Sequence, residues 1–355
     1  MKKQTPIFIA LSGGVDSAVV ARLLQEEYET VIGVSHRHWP ESRCCSTECI
    51  DRCADQCRDM GIPYYPIDCI VEFTQAIVDD FIATYERGQT PNPCVRCNQT
   101  IRFDLMMNKL FEEHPELKTD DYKIATGHYV RVEMLHEVPA LKQGLDKQKD
   151  QSYMLYRLSS EQLSRCVFPL GSYQKSEVRA LAEKWNLKSA KAGDSMDVCF
   201  VNDTYQIFLD EYTGQGQKRG LFVNTEGEVM GEHKGVPYYT RGQRKGLGLS
   251  GGPWYVIHTN TKTGQVVLGV KEELMMQEFD IRDTCWNRLD LKDKIKARVQ
   301  LRYHSILRDV TITRKEEDLF HLKLVEPCED ICPGQSAVIY DGDRILGGGV
   351  ICPVL

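Results

Sequence analysis

The sequence predicts an α/β chain that opens with a doubly wound parallel sheet and continues into β-structure, on three observations. First, the apolar run Ile7-Phe8-Ile9-Ala10-Leu11 enters Ser12-Gly13-Gly14-Val15-Asp16-Ser17 and then the helical pattern Ala18-Val19-Val20-Ala21-Arg22-Leu23-Leu24. A short β-branched run without polar alternation suits a strand buried on both faces. Second, strand-like runs at residues 30–34, 64–67 and 123–126 alternate with helical patterns, as in βαβ units whose ligands sit at the carboxyl ends of the strands near the switch in strand order. Third, from about Leu221 the pattern changes to short strands separated by turns. The expected organisation is an α/β domain over residues 1–205, a small β-rich central domain over 206–272 and a C-terminal β-barrel over 273–355.

Length and composition fit that division. With 355 residues and 42% hydrophobic content, the chain is too long for one ordinary core and rich enough to bury several. A net charge of −7 disfavours a protein that coats nucleic acid nonspecifically but leaves room for a local basic face. No apolar run approaches a membrane span, and the N-terminal run is broken by Gly13, Gly14 and Asp16 before any cleavage-site pattern. No membrane partner and a cytoplasmic location are expected. In a reducing compartment, 14 cysteines point to thiol, metal or cluster chemistry before structural disulfides.

The first turn carries the most specific signal. Two adjacent glycines let the backbone approach a ligand closely, and the helix that follows offers N–H groups and a positive dipole end, which together make a phosphate cradle. No Gly-Lys-Ser/Thr follows, so the Walker-type ATPase and GTPase reading loses its lysine. The hexapeptide resembles the Ser-Gly-Gly-x-Asp-Ser pyrophosphate loop of the ATP pyrophosphatases, which split ATP between its α and β phosphates to adenylate a carbonyl oxygen. The resemblance implies an adenine nucleotide alpha hydrolase-like sheet. It also implies ATP, with Mg²⁺ on its phosphates, held by Ala10, Leu11, Ser12, Gly13, Gly14, Val15, Asp16 and Ser17. His36 and Gly127-His128 follow the second and fourth strands and are placed to meet the same nucleotide.

Between the second and third strands Cys45, Cys49, Cys53 and Cys57 recur every fourth residue beside Cys44, a stripe on a helix. Twelve residues of helix spread the outer thiols by roughly 18 Å, so one ion cannot bind all four, and a face of small apolar side chains is the simpler reading. A helix over 73–87 then leads to Pro91-Asn92-Pro93-Cys94-Val95-Arg96-Cys97-Asn98. The prolines stiffen this loop, Asn98 or the loop itself can start the next helix, and Cys-x-x-Cys alone fits redox, zinc or iron-sulfur chemistry.

Five segments together carry a closer resemblance: Pro91-Asn92-Pro93, Ala125-Thr126-Gly127-His128-Tyr129, Lys149-Asp150-Gln151-Ser152-Tyr153, Gly242-Gln243-Arg244-Lys245-Gly246-Leu247-Gly248 and Pro333-Gly334-Gln335-Ser336-Ala337-Val338. In this order, over nearly the whole chain, they resemble the bacterial tRNA-specific 2-thiouridylase family. The resemblance implies ATP-dependent adenylation of the wobble uridine of lysine, glutamate and glutamine tRNAs, followed by sulfur transfer to C2. It assigns Cys199 the persulfide, received from a sulfur carrier or cysteine desulfurase, and Cys97 an assisting role, the pair ending as a disulfide. Asn92, Pro93, Cys94, His128, Lys149, Asp150, Gln151, Arg302, Tyr303 and Gln335 match tRNA-contacting positions. Where most members have aspartate after Asn-Pro this chain has Cys94. Cys94, Cys97 and Cys199 could then hold a [4Fe-4S] cluster by three irons and leave the fourth for sulfide, as in related tRNA thiolation enzymes.

The rest of the chain is read on physical grounds. Ser172 can cap a helix through Leu187, Cys199-Phe200 follows Asp194-Ser195, and a further helix is expected near 203–212. Gly246-x-Gly248-x-x-Gly251 satisfies the dinucleotide pattern but follows Arg241, Arg244 and Lys245 instead of a buried strand, so a plain turn or a basic loop near phosphates fits better. Six strand-like segments from about Glu273 suggest the closed barrel. Two other functions share parts of the pattern. Argininosuccinate and GMP synthetases use a similar loop on small carbonyl compounds without the two thiols, and an RNA-binding or metal-sensing module could keep a degenerate nucleotide fold.

Overall fold

The computed structural model describes residues 1–39, 47–191, 198–214, 216–287 and 294–353. Cys44, Cys45, Asp194 and Ser195 lie outside the described residues. The chain forms two compact units, one of Met1–Ile77, Cys94–Asn202 and Asp343–Ile345, the other of Val78–Pro93, Asp203–Gly342 and Leu346–Leu355.

In the first unit β1 (Ile7–Ala10) leads to α1 (Val15–Glu27), β2 (Val31–Arg37), α2 (Thr47–Met60) and β3 (Tyr64–Asp68). The helix expected over 73–87 is three pieces, α3 (Ile70–Phe73), a π-helical turn Thr74–Val78 and α4 (Asp79–Glu86), the last belonging to the second unit. A larger departure follows. The segment expected as a loop ending in two thiols is already helical, as α5 (Pro93–Cys97), and runs through a π-helical stretch Asn98–Leu105 into α6 (Met106–Glu113). Of the two starts expected, Asn98 or the loop itself, the loop supplies it: proline suits a first helical position, where its missing N–H costs nothing, and the helix begins at Pro93.

The chain continues through β4 (Lys123–Ala125), the hairpin β5 (Val130–Leu135) and β6 (Val138–Gln143), α7 (Ser152–Leu155), α8 (Ser160–Arg165) and β7 (Cys166–Val167). It then enters α9 (Lys175–Lys184), where the Glu177 carboxylate accepts from the Gln174 N–H at 2.7 Å. Ser172, expected to cap this helix, ends a 3₁₀ turn instead. Strand order is β3-β2-β1-β4-β7 with every pairing parallel. Ile7 sits between Val31 and Lys123, so the order reverses direction about β1 and β4, and their carboxyl ends open the crevice where such folds bind ligands. Ile7, Ile9, Val19, Val20 and Leu24 pack into one apolar core with Cys53 and Cys57 of α2.

In the second unit α10 (Tyr205–Thr213) is capped by Thr204. A four-stranded sheet follows, built from β8 (Gly220–Asn224), β9 (Val229–His233), β10 (Tyr255–Asn260) and β11 (Gln265–Gly269) in the order β10-β11-β8-β9. The glycine-rich stretch before β10 opens onto that strand and no helix, which agrees with its rejection as a dinucleotide loop. Arg241, read as part of a basic loop, is buried, and its guanidinium donates to the carbonyls of Ile331, Ile257 and Leu274. Then β12 (Met276–Trp286), β13 (Lys294–Gln300), β14 (Arg308–Glu316), β15 (Leu319–Cys328), β16 (Ser336–Asp341) and β17 (Arg344–Ile351) form a barrel in the order β12-β15-β14-β13-β16-β17. It is closed by β17 pairing with β12, Ile281 opposite Ile351. Alternate residues of these strands, Phe279, Ile281, Val310, Ile312, Phe320, Leu322 and Leu324, fill its interior. Among the described residues no helix is long and apolar enough to cross a membrane.

Candidate active site

The β1–α1 turn is built for an anion. Gly13 takes φ +68, a left-handed conformation, and a Cβ there would meet the Cys49 sulfur at 3.2 Å and the Arg52 Nε at 3.3 Å. Gly14 occupies the N-cap of α1 without a side-chain hydrogen bond to the helix, so the first-turn N–H groups keep their donors for a ligand. The Ser17 hydroxyl donates to the Gly14 carbonyl at 3.2 Å and accepts from the Ser12 N–H at 3.3 Å, which closes the turn on itself. From behind, the Cys49 thiol of α2 donates to the Ser12 carbonyl at 2.9 Å and the Gln56 amide to the Gly13 carbonyl at 3.3 Å. The glycine after β4 completes the crevice, since a Cβ on Gly127 would stand 3.0 Å from Asp16 Cβ and 3.1 Å from the Ser17 nitrogen.

Asp16 is held by two residues that the sequence pattern did not single out for it. Its Oδ1 accepts from the Tyr129 hydroxyl at 2.8 Å, and both oxygens accept from Lys175 Nζ at 2.8 and 2.7 Å. Lys175 also lies over the Tyr129 ring, 5.6 Å from its centre. A lysine absent from the loop itself is thus brought to it by the first residue of α9. The spacing of 159 residues hides that pairing from any local motif.

Two buried histidines, His36 and His38, and the half-buried His128 lie in the field of one arginine. His36 at the end of β2 is 4% exposed, stacks on His38 with ring centres 4.8 Å apart, and has its Nε2 buried without a hydrogen-bond partner. His128 contacts Thr126 Oγ1 through Nδ1 at 2.6 Å and the Arg102 Nη1 through Nε2 at 3.4 Å. Arg102, on the π-helical stretch after Cys97, donates to Asn98 Oδ1 at 2.7 Å. Burial, and then the Arg102 charge, lowers His38 to about 4 and His128 to about 3, and burial holds His36 well below the ordinary histidine range. All three rings are therefore neutral near pH 7, and Arg102 supplies the positive charge. No sequence signal marked Arg102 or His38.

The thiols divide between helix and turn. Cys94 and Cys97 are half-buried and, three apart on α5, share a helix face. Cys199 is half-buried in the turn that follows residue 198, with its sulfur 3.2 Å from His38 Nε2. Among the described residues no group of three or more His, Cys, Asp or Glu side chains is arranged to hold a metal ion. The α2 cysteines behave differently. Cys49, Cys53 and Cys57 are buried, and burial pushes Cys57 up to about 12.

The positions matched to tRNA contacts are spread over both units. In the first, Asp150 is buried and accepts from the Gly144 N–H at 2.8 Å and the Ser152 hydroxyl at 2.7 Å, while Gln151 Oε1 accepts from the Tyr129 N–H at 3.1 Å; Lys149 beside them is half-buried. In the second, Gln335 donates to the carbonyls of Thr90 and Pro91 at 3.1 and 2.8 Å, which fixes the run into Asn92-Pro93. Arg302 donates to the carbonyls of Asp330 and Arg241, both at 3.3 Å, with Tyr303 next to it.

Comparison with known proteins is consistent along the chain. Residues 5–203 match the tRNA methyl transferase HUP domain, 206–270 the tRNA methyl transferase PRC-barrel domain and 276–351 the Aminomethyltransferase beta-barrel domain. The tRNA-specific 2-thiouridylase MnmA of Geobacter metallireducens is 39% identical over 99% of this chain and 97% of its own. That of Acidithiobacillus ferrooxidans is 40% identical over 97% of each. A solved structure, the U34-tRNA thiolase NcsA from Methanococcus maripaludis with its [4Fe-4S] cluster, covers 60% of this chain and 66% of its own at 22% identity and a TM-score of 0.37, too distant to bear on the site. With three consecutive domain matches and relatives aligned end to end, the chain belongs to the tRNA-specific 2-thiouridylase family.

Proposed function

We infer that the protein is a tRNA-uridine 2-sulfurtransferase that adenylates the wobble uridine with ATP and then replaces the C2 oxygen by sulfur. The observation that carries this reading is one unit holding both an uncapped phosphate loop at the β1/β4 crevice and a thiol, Cys199, on a histidine. Residues 10–17 bind the phosphates of ATP as its Mg²⁺ complex, with Gly127 and His36 on the nucleotide side. Lys175, drawn to the loop by Asp16, stands where charge develops as pyrophosphate leaves. The base must leave the anticodon stack to be modified, and Asn92, Pro93, Cys94 and His128 are tRNA-contacting residues. Lys149, Asp150 and Gln151 of the first unit and Arg302, Tyr303 and Gln335 of the second contact RNA, four of the six (Asp150, Gln151, Arg302 and Gln335) being fixed by side-chain bonds to backbone within their own unit.

Once uridine carries AMP on its C2 oxygen, a persulfide on Cys199 attacks C2 and AMP departs. Cys97 then attacks the Cys199 sulfur, forming a disulfide and leaving the outer sulfur on the base. The persulfide comes from a sulfur carrier or cysteine desulfurase, the tRNAs are those for lysine, glutamate and glutamine, and the reaction belongs in the cytoplasm. Since no described side chains gather as a metal-holding group and Cys199 faces His38, the two-thiol course is favoured over a cluster on Cys94, Cys97 and Cys199. A methyl transferase, as two domain descriptions read, has no need of a pyrophosphate loop.

Mass spectrometry of tRNA nucleosides after incubation with ATP and a persulfide donor tests the reading, 2-thiouridine being expected from iron-free protein. Asp16→Ala should stop tRNA-dependent pyrophosphate release while tRNA affinity changes by no more than a few fold. Equal loss of both would end the division of labour, and thiolation only by iron-loaded protein would restore the cluster.

A further inference from the structure

We propose that His38 is the proton acceptor that activates Cys199 for taking sulfur from the donor, with the His36 carbonyl as the third member of the arrangement. The inference rests on Cys199 as the sulfur-carrying thiol. Its geometry is that of an activated nucleophile, a thiol within reach of a base whose far side is held by a third group. Cys199 Sγ lies 3.2 Å from His38 Nε2, and His38 Nδ1 lies 3.4 Å from the His36 carbonyl oxygen. A neutral ring that donates Nδ1–H to a carbonyl leaves Nε2 with its lone pair, so Nε2 accepts the thiol proton. The ring is also locked, between His36 at 4.8 Å and Phe73 at 4.5 Å between centres. Phe200, the residue after Cys199, packs on Phe73 at 5.7 Å and Trp39 at 6.2 Å, so the turn bearing the thiol is anchored to the same aromatic wall.

The step balances without an oxidant. Cys199 Sγ attacks the outer sulfur of a donor persulfide, R–S–SH, while its proton passes to His38 Nε2. The new bond joins Cys199 Sγ to that sulfur, the donor S–S bond breaks, and the electron pair leaves on the inner sulfur as R–S⁻. That thiolate takes the proton from His38 and departs as R–SH.

The test follows sulfur loading of the whole protein with glutathione persulfide, without ATP or tRNA, by the mass of the peptide carrying Cys199. His38→Gln should slow loading about 100-fold. His38→Ala should load as slowly and regain about tenfold or more with added imidazole, a rescue that a purely structural residue would not give. In the wild type, deuterated solvent should slow loading about twofold, which reads the proton transfer even if a variant fails to fold. Loading by His38→Gln within twofold of wild type, a folded His38→Ala that imidazole leaves unchanged, or no solvent isotope effect would each overturn the proposal. Pyrophosphate release with tRNA is measured in parallel. Its absence in the wild type would sink the sulfurtransferase reading separately, and its presence with no loading of Cys199 would remove the thiol on which this inference stands.

Discussion

Cysteines serve opposite purposes in two regions of the same unit. On α2, Cys49, Cys53 and Cys57 are 2%, 1% and 1% exposed; Cys53 and Cys57 pack in the apolar core as small side chains, and Cys49 holds the Ser12 carbonyl from behind the loop. A Cβ on Gly33 of β2 would come within 2.6 Å of the Cys57 sulfur, a measure of how closely strand and helix meet there. On α5 and in the turn at 199 the thiols are half-buried beside hydrogen-bonding and charged groups. What separates structural from reactive cysteine here is therefore burial and neighbours, not spacing, since the four-residue stripe looked as regular as any ligand set.

The largest expected difference is catalytic. Cys199→Ser should lower tRNA thiolation by roughly a thousandfold or more while adenylation persists, because serine keeps the shape and loses the nucleophile. Retention of thiolation would show that the reactive group lies elsewhere. Next comes labelling at pH 8, where burial pushes Cys57 of α2, and likewise the buried Cys69 just before α3, up to about 12 and leaves little thiolate. Iodoacetamide should modify Cys199 on the order of 100-fold faster than either, as counted by peptide mass spectrometry. Comparable rates would erase the distinction between the two regions.

A smaller effect tests the neutral histidines of this unit. His38 at about 4 and His128 at about 3 lie below the ordinary 6.5, so on acidification the unfolded chain binds protons that the folded chain refuses. Stability is full above about pH 6.5 and should fall by about 1.4 kcal/mol per unit per histidine down to the folded values. Urea titrations from pH 7 to pH 5 measure this slope, and His38→Gln should flatten it by one histidine's share. The smallest change is expected behind the loop, where Cys53→Ala should cost about 1 kcal/mol of stability and leave thiolation unaltered. A loss of activity there with unchanged stability would make the stripe part of the chemistry.

Much of the fold was legible because its signals are local. The run at 7–11, the two glycines and the apolar spacing of α1 each act within a few residues, and the barrel strands announce themselves by alternation. The helix start falls at Gln174, not Ser172, where Glu177 three residues on reaches back to the Gln174 N–H, a competition the sequence does not rank. The sequence left the helix start open between Asn98 and the proline loop, and Pro93 takes it. Within the site, the loop, Gly127 and Cys199 could be named in advance, while Lys175, Arg102 and His38 could not. Lys175 reaches Asp16 across 159 residues and His38 reaches Cys199 across 161, distances that only the folded sheet brings to contact.

The position of β1 in the middle of the parallel sheet governs how the chain can be made. β1 receives β2 within some twenty residues, but its other neighbour, β4, begins only at Lys123. At translation rates of about 5–20 residues per second, the far edge of β1 stays unpaired for several seconds after it leaves the ribosome. During that interval an apolar strand edge and the unfinished phosphate loop are open to other strands. Correct assembly thus depends on delaying compaction until β4 arrives, and slower synthesis between residues 11 and 122 should favour aggregation over yield of the active protein.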